Sequence, residues 1–178
     1  MGIDPVKPRA IFLDRDGVLN RAVVRDGKPF PAPSIDELEV LPGVAEALDR
    51  LKAAGYSLVV VTNQPDVARG ATAKEAVEAI NARLLESLPL DEVRVCYHDD
   101  ADRCQCRKPA PGLLLDPPTY DVAASIMVGD RWRDIEAGRR AGCRATILVD
   151  YGYDELGSDA DHRVASLLEA ANWILANT

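Results

Sequence analysis

The stretch Ala10-Ile11-Phe12-Leu13-Asp14-Arg15-Asp16-Gly17 decides how the rest of the chain reads. Four apolar residues in a row, bounded by Arg9 and Asp14, have the length of a strand buried on both faces. The run ends on two carboxylates two positions apart and then a glycine, which tolerates the backbone of a tight turn. In an open parallel sheet, ligands gather at the carboxyl ends of the strands. Taken alone, D-x-D-G is also the pattern of an ordinary Asx-type turn.

Similar runs recur along the chain. Residues 57–62 are almost entirely β-branched or Leu, residues 92–97 alternate, and residues 125–130 and 146–150 each close on an aspartate. Helical spacing lies between them. Val44, Ala47, Leu48 and Leu51 form a stripe after Pro42-Gly43 that stops at Gly55; Thr72 and Glu75 cap a helix to about Leu88. Residues 135–142 read as a helix, and Val164 to Ala176 as the closing one. Residues 21–42 read as irregular, with a turn at Asp26-Gly27, three prolines and a brief helix capped by Ser34. Pro117-Pro118 weakens any helix between Gly112 and Ser125. Strands alternating with helices predict an α/β fold, a central parallel sheet covered on both faces, as a single domain over 1–178.

Composition narrows the function classes. The 178 residues are 47% apolar and 28% charged, an ordinary globular balance. The net charge is −8, which argues against nucleic acid as a partner. No apolar run approaches the ~18 residues of a membrane span, and residues 1–8 lack the apolar core of a secretory signal. The expected setting is cytoplasmic, and the expected state a monomer.

The polar residues of interest sit at predicted strand ends. Asp14 ends the first strand, Thr62 the second and Asp130 the fourth, with Asp134 one turn further on. Asp130 and Asp134 also suit the start of a helix. Brought together, Asp14, Asp16 and Asp130 repel, by roughly 4 kcal/mol per pair at ~4 Å and an effective dielectric of 20. Such a set needs a cation, and oxygen-only ligands suit Mg2+. Lys108 is a candidate fixed positive charge. Three of the four cysteines fall within eleven residues, as Cys96-x-His98 and then Cys104-x-Cys106. A disulfide framework spreads its cysteines further; a tight group with a histidine reads as a metal site. Cys143 lies apart and reads as packing.

Four segments, F-L-D-R-D-G-V-L-N (12–20), V-V-T-N-Q (60–64), C-R-K-P (106–109) and V-G-D-x-x-x-D (128–134), resemble in order the motifs of the haloacid dehalogenase (HAD) phosphohydrolase superfamily. The Cys/His segment resembles its zinc-bearing subgroup, which holds the heptose 1,7-bisphosphate and histidinol-phosphate phosphatases. The resemblance implies a three-layer Rossmann-like fold and a phosphomonoester hydrolase working through an aspartyl-phosphate. Asp14 is then the nucleophile and Asp16 the general acid and base. Mg2+ is held by Asp14, the carbonyl of Asp16 and Asp130, with Asp134 in the shell behind. Thr62 and Lys108 stabilise the phosphoryl oxygens, and Asn63 and Arg107 contact substrate. Structural Zn2+ is held by Cys96, His98, Cys104 and Cys106, a closed set that leaves no position for water; Arg103 and Arg107 stand close enough to offset its negative charge. The implied substrate is a small phosphorylated metabolite, a heptose 1,7-bisphosphate first and histidinol phosphate as the alternative. A polynucleotide 3′-phosphatase and a non-catalytic zinc-stapled interaction module are readings from other classes.

Two departures from the pattern stand out. Pro65-Asp66 follows T-N-Q where the family often has Ser-Gly, and the five residues between His98 and Cys104 are closer to the histidinol-phosphate branch. Too few residues separate the motifs for a large cap domain. The loops at 21–34 and 65–70 and the zinc loop at about 96–106 are expected to cover the site.

Overall fold

The structure, a computed structural model, describes residues 6–155 and 157–178. Strands and helices are numbered in chain order. They are β1 (Ala10–Leu13), β2 (Val23–Arg25), β3 (Lys28–Phe30), α1 (Val44–Ala53), β4 (Ser57–Asn63), α2 (Lys74–Ser87), β5 (Glu92–Cys96), α3 (Gly112–Leu115), β6 (Ile126–Gly129), α4 (Trp132–Ala141), β7 (Ala145–Val149), β8 (His162–Val164) and α5 (Leu167–Ala176).

Six strands form one sheet in the order β5-β4-β1-β6-β7-β8, every neighbouring pair parallel. The chain starts in the middle at β1, adds β4 and β5 on one side, then returns to build β6, β7 and β8 on the other. That reversal leaves a crevice at the carboxyl ends of β1 and β6, where such sheets bind ligands.

Alternation along each strand divides the core. Ile11, Leu13, Leu58, Val60, Val128 and Ile147 pack against α1, α5 and the inner face of α2. Phe12, Val59, Val61 and Met127 face the opposite layer, with Leu113 and Leu114 of α3 and Ala137 of α4. All four residues of β1 have no solvent exposure. Burying an aliphatic or aromatic side chain of this size contributes about 1.5–3 kcal/mol. The apolar layers therefore fix the strands, and the polar residues one step beyond each strand go where the strands put them. Leu13 lies in register with Val60 on one side and Val128 on the other, so Asp14 and Asp130 emerge side by side.

Several sequence expectations need correction. Residues 21–42 are not wholly irregular: β2 and β3 form a separate antiparallel hairpin about Asp26-Gly27, and Ile35–Glu37 is a single 3-10 turn. Val164 does not open the last helix but ends β8, a sixth strand on the sheet edge, and α5 begins after Ser166, whose hydroxyl caps it. Helix α4 starts a turn earlier than expected, which puts Asp134 in its first turn. Thr72 is not the cap of α2; Ala73 holds that position without a side-chain bond. Between Gly112 and Ser125 only the four residues of α3 are α-helical. No helix among the described residues is long and apolar enough to cross a membrane.

Candidate active site

Asp14, Asp130 and Asp134 are all buried, and each offers a carboxylate oxygen within 4.8 Å of the others. Lys108 threads into this cluster from the segment after Cys106. Its ammonium donates to Asp14 Oδ1 at 2.8 Å and to the carbonyl of Val61 at 2.7 Å, and sits 2.6 Å from Asp134 Oδ1. The other oxygen of Asp134 accepts the N–H of Arg131 at 3.0 Å, so both ends of that carboxylate are taken. Asp130 is the opposite case: both of its oxygens are buried without a hydrogen-bond partner. The Tyr153 hydroxyl approaches Asp130, and burial and then that negative charge push its pKa up, but it does not reach hydrogen-bond geometry.

The charges respond as burial dictates. Loss of water, followed by repulsion from Asp134, pushes the Asp14 carboxyl up to about 6 against the pull of Lys108. Asp130 is raised well above the carboxylate range, first by burial and then by Asp14 and Asp134. For Lys108 burial works against the charge, and Asp134 and Asp14 outweigh it, so its pKa is raised. One lysine does not neutralise three buried acids. The unpartnered oxygens of Asp130 mark where positive charge is missing, and an all-oxygen donor set fits a hard divalent cation such as Mg2+. Gly17 leaves the room: with φ at +90°, a Cβ there would stand 2.1 Å from Asp130 Oδ2.

Asp16 does not join this cluster. Its carboxylate accepts from Arg15 Nε and Nη2, from Asn20 Nδ2, from the N–H of Ala32 behind the hairpin and from Gln64 Nε2. Arg15 is completely buried and also donates to Asn81 at 2.9 Å. Gln64 donates to Thr62 Oγ1 at 3.0 Å as well, leaving the Thr62 proton free to donate. Asn63 ties β4 to the segment carrying Lys108: its amide oxygen accepts the N–H of Lys108 at 3.0 Å and its amide nitrogen donates to the Lys108 carbonyl at 2.9 Å. Asn63, expected as a substrate contact, lines the cavity and also holds both main-chain groups of Lys108. Arg15, Gln64 and Tyr153 were not singled out in the sequence. Arg15 and Gln64 lie inside recognised motifs, whereas nothing local to Tyr153 signals its approach to Asp130.

These groups open into a cavity of about 270 Å³, lined by Asp14, Asp16, Thr62, Lys108 and Asp130 and also by Lys28, Arg69, Arg107 and Arg133. The hairpin supplies part of the wall through Pro29, Phe30 and Pro31.

A second cluster closes the carboxyl end of β5. Cys96 Sγ lies 2.9 Å from Cys106 Sγ and 3.7 Å from Cys104 Sγ, and His98 Nδ1 lies 3.2 Å from Cys106 Sγ and 3.4 Å from Cys96 Sγ. A disulfide needs about 2.05 Å; the cysteines are free. The backbone N–H of Arg107 donates to Cys104 Sγ at 3.4 Å. Burial acts against the Cys104 thiolate, but N–H donors outweigh it and bring the thiol down to about 7. Three sulfurs and one ring nitrogen facing a common point match the donors of a tetrahedral soft-metal site.

A buried carboxylate bonded to a lysine, a hydroxyl with a free proton and several cationic side chains share one cavity, an arrangement that can receive a phosphate ester. A family model described as haloacid dehalogenase-like hydrolase matches residues 11–86, and one described as HAD-hydrolase-like matches residues 105–170. D-glycero-α-D-manno-heptose-1,7-bisphosphate 7-phosphatase of Mycobacterium tuberculosis is 40% identical over 90% of this chain and 88% of its own. The β-anomer 7-phosphatase of Escherichia coli K12 is 36% identical over 93% and 87%. The crystal structure of D,D-heptose 1,7-bisphosphate phosphatase from B. bronchiseptica, complexed with magnesium and phosphate, superposes with a TM-score of 0.77 at 31% identity, covering 96% of this chain and 99% of that one. The chain belongs to the haloacid dehalogenase-like hydrolases, and within them to the phosphatases.

Proposed function

We propose that this phosphatase hydrolyses a sugar bisphosphate, D-glycero-D-manno-heptose 1,7-bisphosphate, at its 7-phosphate. The observation that carries the reading is one cavity with two kinds of anion chemistry. Asp14, Thr62 and Lys108 line it together with Arg107, whose Nη1 is buried and unpartnered. The relatives at 36–40% identity act on this bisphosphate by name, in its α or β form.

In this reading a carboxylate oxygen of Asp14 attacks phosphorus, and the bond from phosphorus to the sugar oxygen breaks. Asp16 gives that oxygen a proton. To do so it exchanges contacts with Arg15, Asn20, Gln64 and the N–H of Ala32 for one with the leaving oxygen. The resulting carboxylate then takes a proton from water, whose oxygen attacks the aspartyl-phosphate, and Asp14 and inorganic phosphate are released. Splitting the displacement through a covalent intermediate replaces one difficult step with two easier ones. Thr62 donates to a phosphoryl oxygen, and Lys108 neutralises charge that develops there. Asn63, holding both main-chain groups of Lys108, keeps the ammonium in place. Magnesium, held by Asp14, the Asp16 carbonyl and Asp130 with Asp134 behind, supplies compensating charge on the phosphoryl group when bound. Both oxygens of Asp130 are free and both of Asp134 are engaged, which supports that division of roles. Zinc, held by Cys96, His98, Cys104 and Cys106, is the structural ion of this reading.

Initial rates with Mg2+ on the α and β anomers of the heptose bisphosphate and on histidinol phosphate test the assignment. A heptose bisphosphate is expected to give the highest kcat/KM. Faster turnover of histidinol phosphate replaces the reading with its alternative. Metal analysis is expected to return about one zinc per chain.

A further inference from the structure

The short turn between His98 and Cys104 braces itself. Asp99 accepts the N–H of Asp100 at 2.7 Å, and Asp102 accepts the N–H of Asp99 at 2.8 Å. From this turn a single oxygen, Asp100 Oδ1, accepts Arg107 Nε at 2.9 Å and Arg133 Nη1 at 3.2 Å. The two arginines come from different parts of the chain: Arg107 follows the last cysteine of the cluster, and Arg133 lies in the first turn of α4, next to Asp134. Both line the cavity.

As a stabilising device this arrangement is poor. The Asp100 side chain is 59% exposed, and exposed ion pairs contribute little to stability. Two guanidinium groups gathered on one acceptor repel each other. Arg107, moreover, spends Nε on Asp100 and is left with a buried Nη1 that has no acceptor. Positive charge gathered at a cost, with an unsatisfied donor in a cavity wall, is the chemistry of an anion receptor. Planar guanidinium forks match a phosphate group well.

We infer that Arg133 is a specificity-determining residue that joins Arg107 in holding the second phosphate of the substrate, and that Asp100 is the positioning residue that sets the two guanidinium groups side by side. This rests on the bisphosphate reading and adds to it Arg133, an unassigned position within the fourth motif, and Asp100, which lies outside all four. A monophosphate engages Asp14, Thr62 and Lys108 alone; a bisphosphate engages the two arginines as well. Loss of Arg133 therefore falls on the preference for a doubly charged ligand.

The test uses the full chain with Mg2+ and two ligands that do not turn over, hexane-1,6-diyl bisphosphonate and hexylphosphonate, titrated by calorimetry. The wild-type protein is expected to favour the bisphosphonate. Arg133→Ala is expected to lower that preference about 30-fold, the loss of a charge-assisted contact. Arg133→Lys, which keeps the charge without the fork, is expected to fall between. Asp100→Ala lowers the preference by a smaller factor, and Asp100→Asn, which keeps an acceptor oxygen, restores most of it. A wild-type protein that binds both ligands equally, or an Arg133→Ala variant that weakens both alike, overturns the inference. Kinetics on the sugar bisphosphate then separate the two claims. An Arg133-dependent preference without hydrolysis of that sugar sinks the substrate reading and leaves the anion subsite standing.

Discussion

The acid cluster and the thiol cluster both sit at carboxyl ends of strands of one sheet, yet they are built in opposite ways. Asp14, Asp130 and Lys108 come from three distant segments and meet only because β1, β4 and β6 lie side by side. The thiol cluster draws all four donors from eleven consecutive residues, the last residue of β5 and the loop that follows it. The first is deeply buried and electrostatically unfavourable, with two oxygens of Asp130 left over. In the second the donor atoms already face one another. The packed core holds the acids together against their repulsion. The thiol cluster packs against the core through Cys96, Cys104 and Cys106, and its compact donor set could hold a single ion. The contrast predicts that a change at one cluster falls on turnover and a change at the other on stability.

The largest effect tests the first half of that contrast. Asp14→Asn removes the carboxylate proposed as nucleophile while preserving shape, and kcat is expected to fall about 10⁴-fold or more, with an unchanged circular dichroism spectrum. Trapping of phosphate on the chain in rapid-quench experiments should disappear with it. A variant that keeps a tenth of wild-type turnover breaks the assignment of Asp14.

Asp130→Asn comes next. A kcat loss of about 10³-fold is expected, the scale of removing one preorganised electrostatic partner. Removal of a buried, repelled charge should also raise the Tm of the metal-free protein by a few degrees, at about 2–4 °C per kcal/mol for a chain of this size. The rise in Tm that Mg2+ gives the wild-type protein should vanish. A metal-free Asp130→Asn protein that melts below wild type contradicts the reading of those oxygens as electrostatically unfavourable.

Cys104→Ser should behave in the reverse way. Zinc is lost, Tm falls by about 10 °C, and kcat at saturating substrate stays within about tenfold, since no donor of that cluster lines the cavity. Differential scanning calorimetry with parallel kinetics reads both quantities. A collapse in kcat at unchanged Tm reverses the roles of the two clusters.

How much of this was legible in the sequence follows the same division. Buried strands such as Ala10–Leu13 and Ser57–Asn63 announce themselves as apolar runs, and they carry Asp14 and Thr62 at or just beyond their ends. The thiol loop is local and is read directly. Strand β8 was missed because His162-Arg163-Val164 is short and polar; its pairing to β7 comes from the sheet edge and not from its own pattern. The β2–β3 hairpin was hidden by Pro29, which sits opposite Val24 in a two-stranded ribbon where a missing N–H is tolerated. Asp16 was recognised as an acid, but its cage of donors was not, since Ala32, Gln64 and Asn20 reach it only through the folded turn. Side-chain commitments of this kind, like that of Asn63 to Lys108, depend on distances between segments that periodicity does not encode.

Cys143 gives the smallest effect and tests whether the thiol cluster is complete without it. It follows α4, outside the four-donor set, and burial alone pushes its thiol up to about 12. A thiol so raised is a poor nucleophile and a poor ligand at neutral pH. Cys143→Ala should therefore leave zinc content unchanged and move Tm by no more than about 2–4 °C, the loss of one partly buried sulfur. Thiol titration adds a sharper readout. With metal bound, the wild-type chain should show a single slow thiol and the variant none; after chelation the counts should rise to four and three. A variant that loses zinc shows that the loop borrows a ligand from Cys143, and the local character of that cluster, on which its contrast with the acids depends, is then wrong.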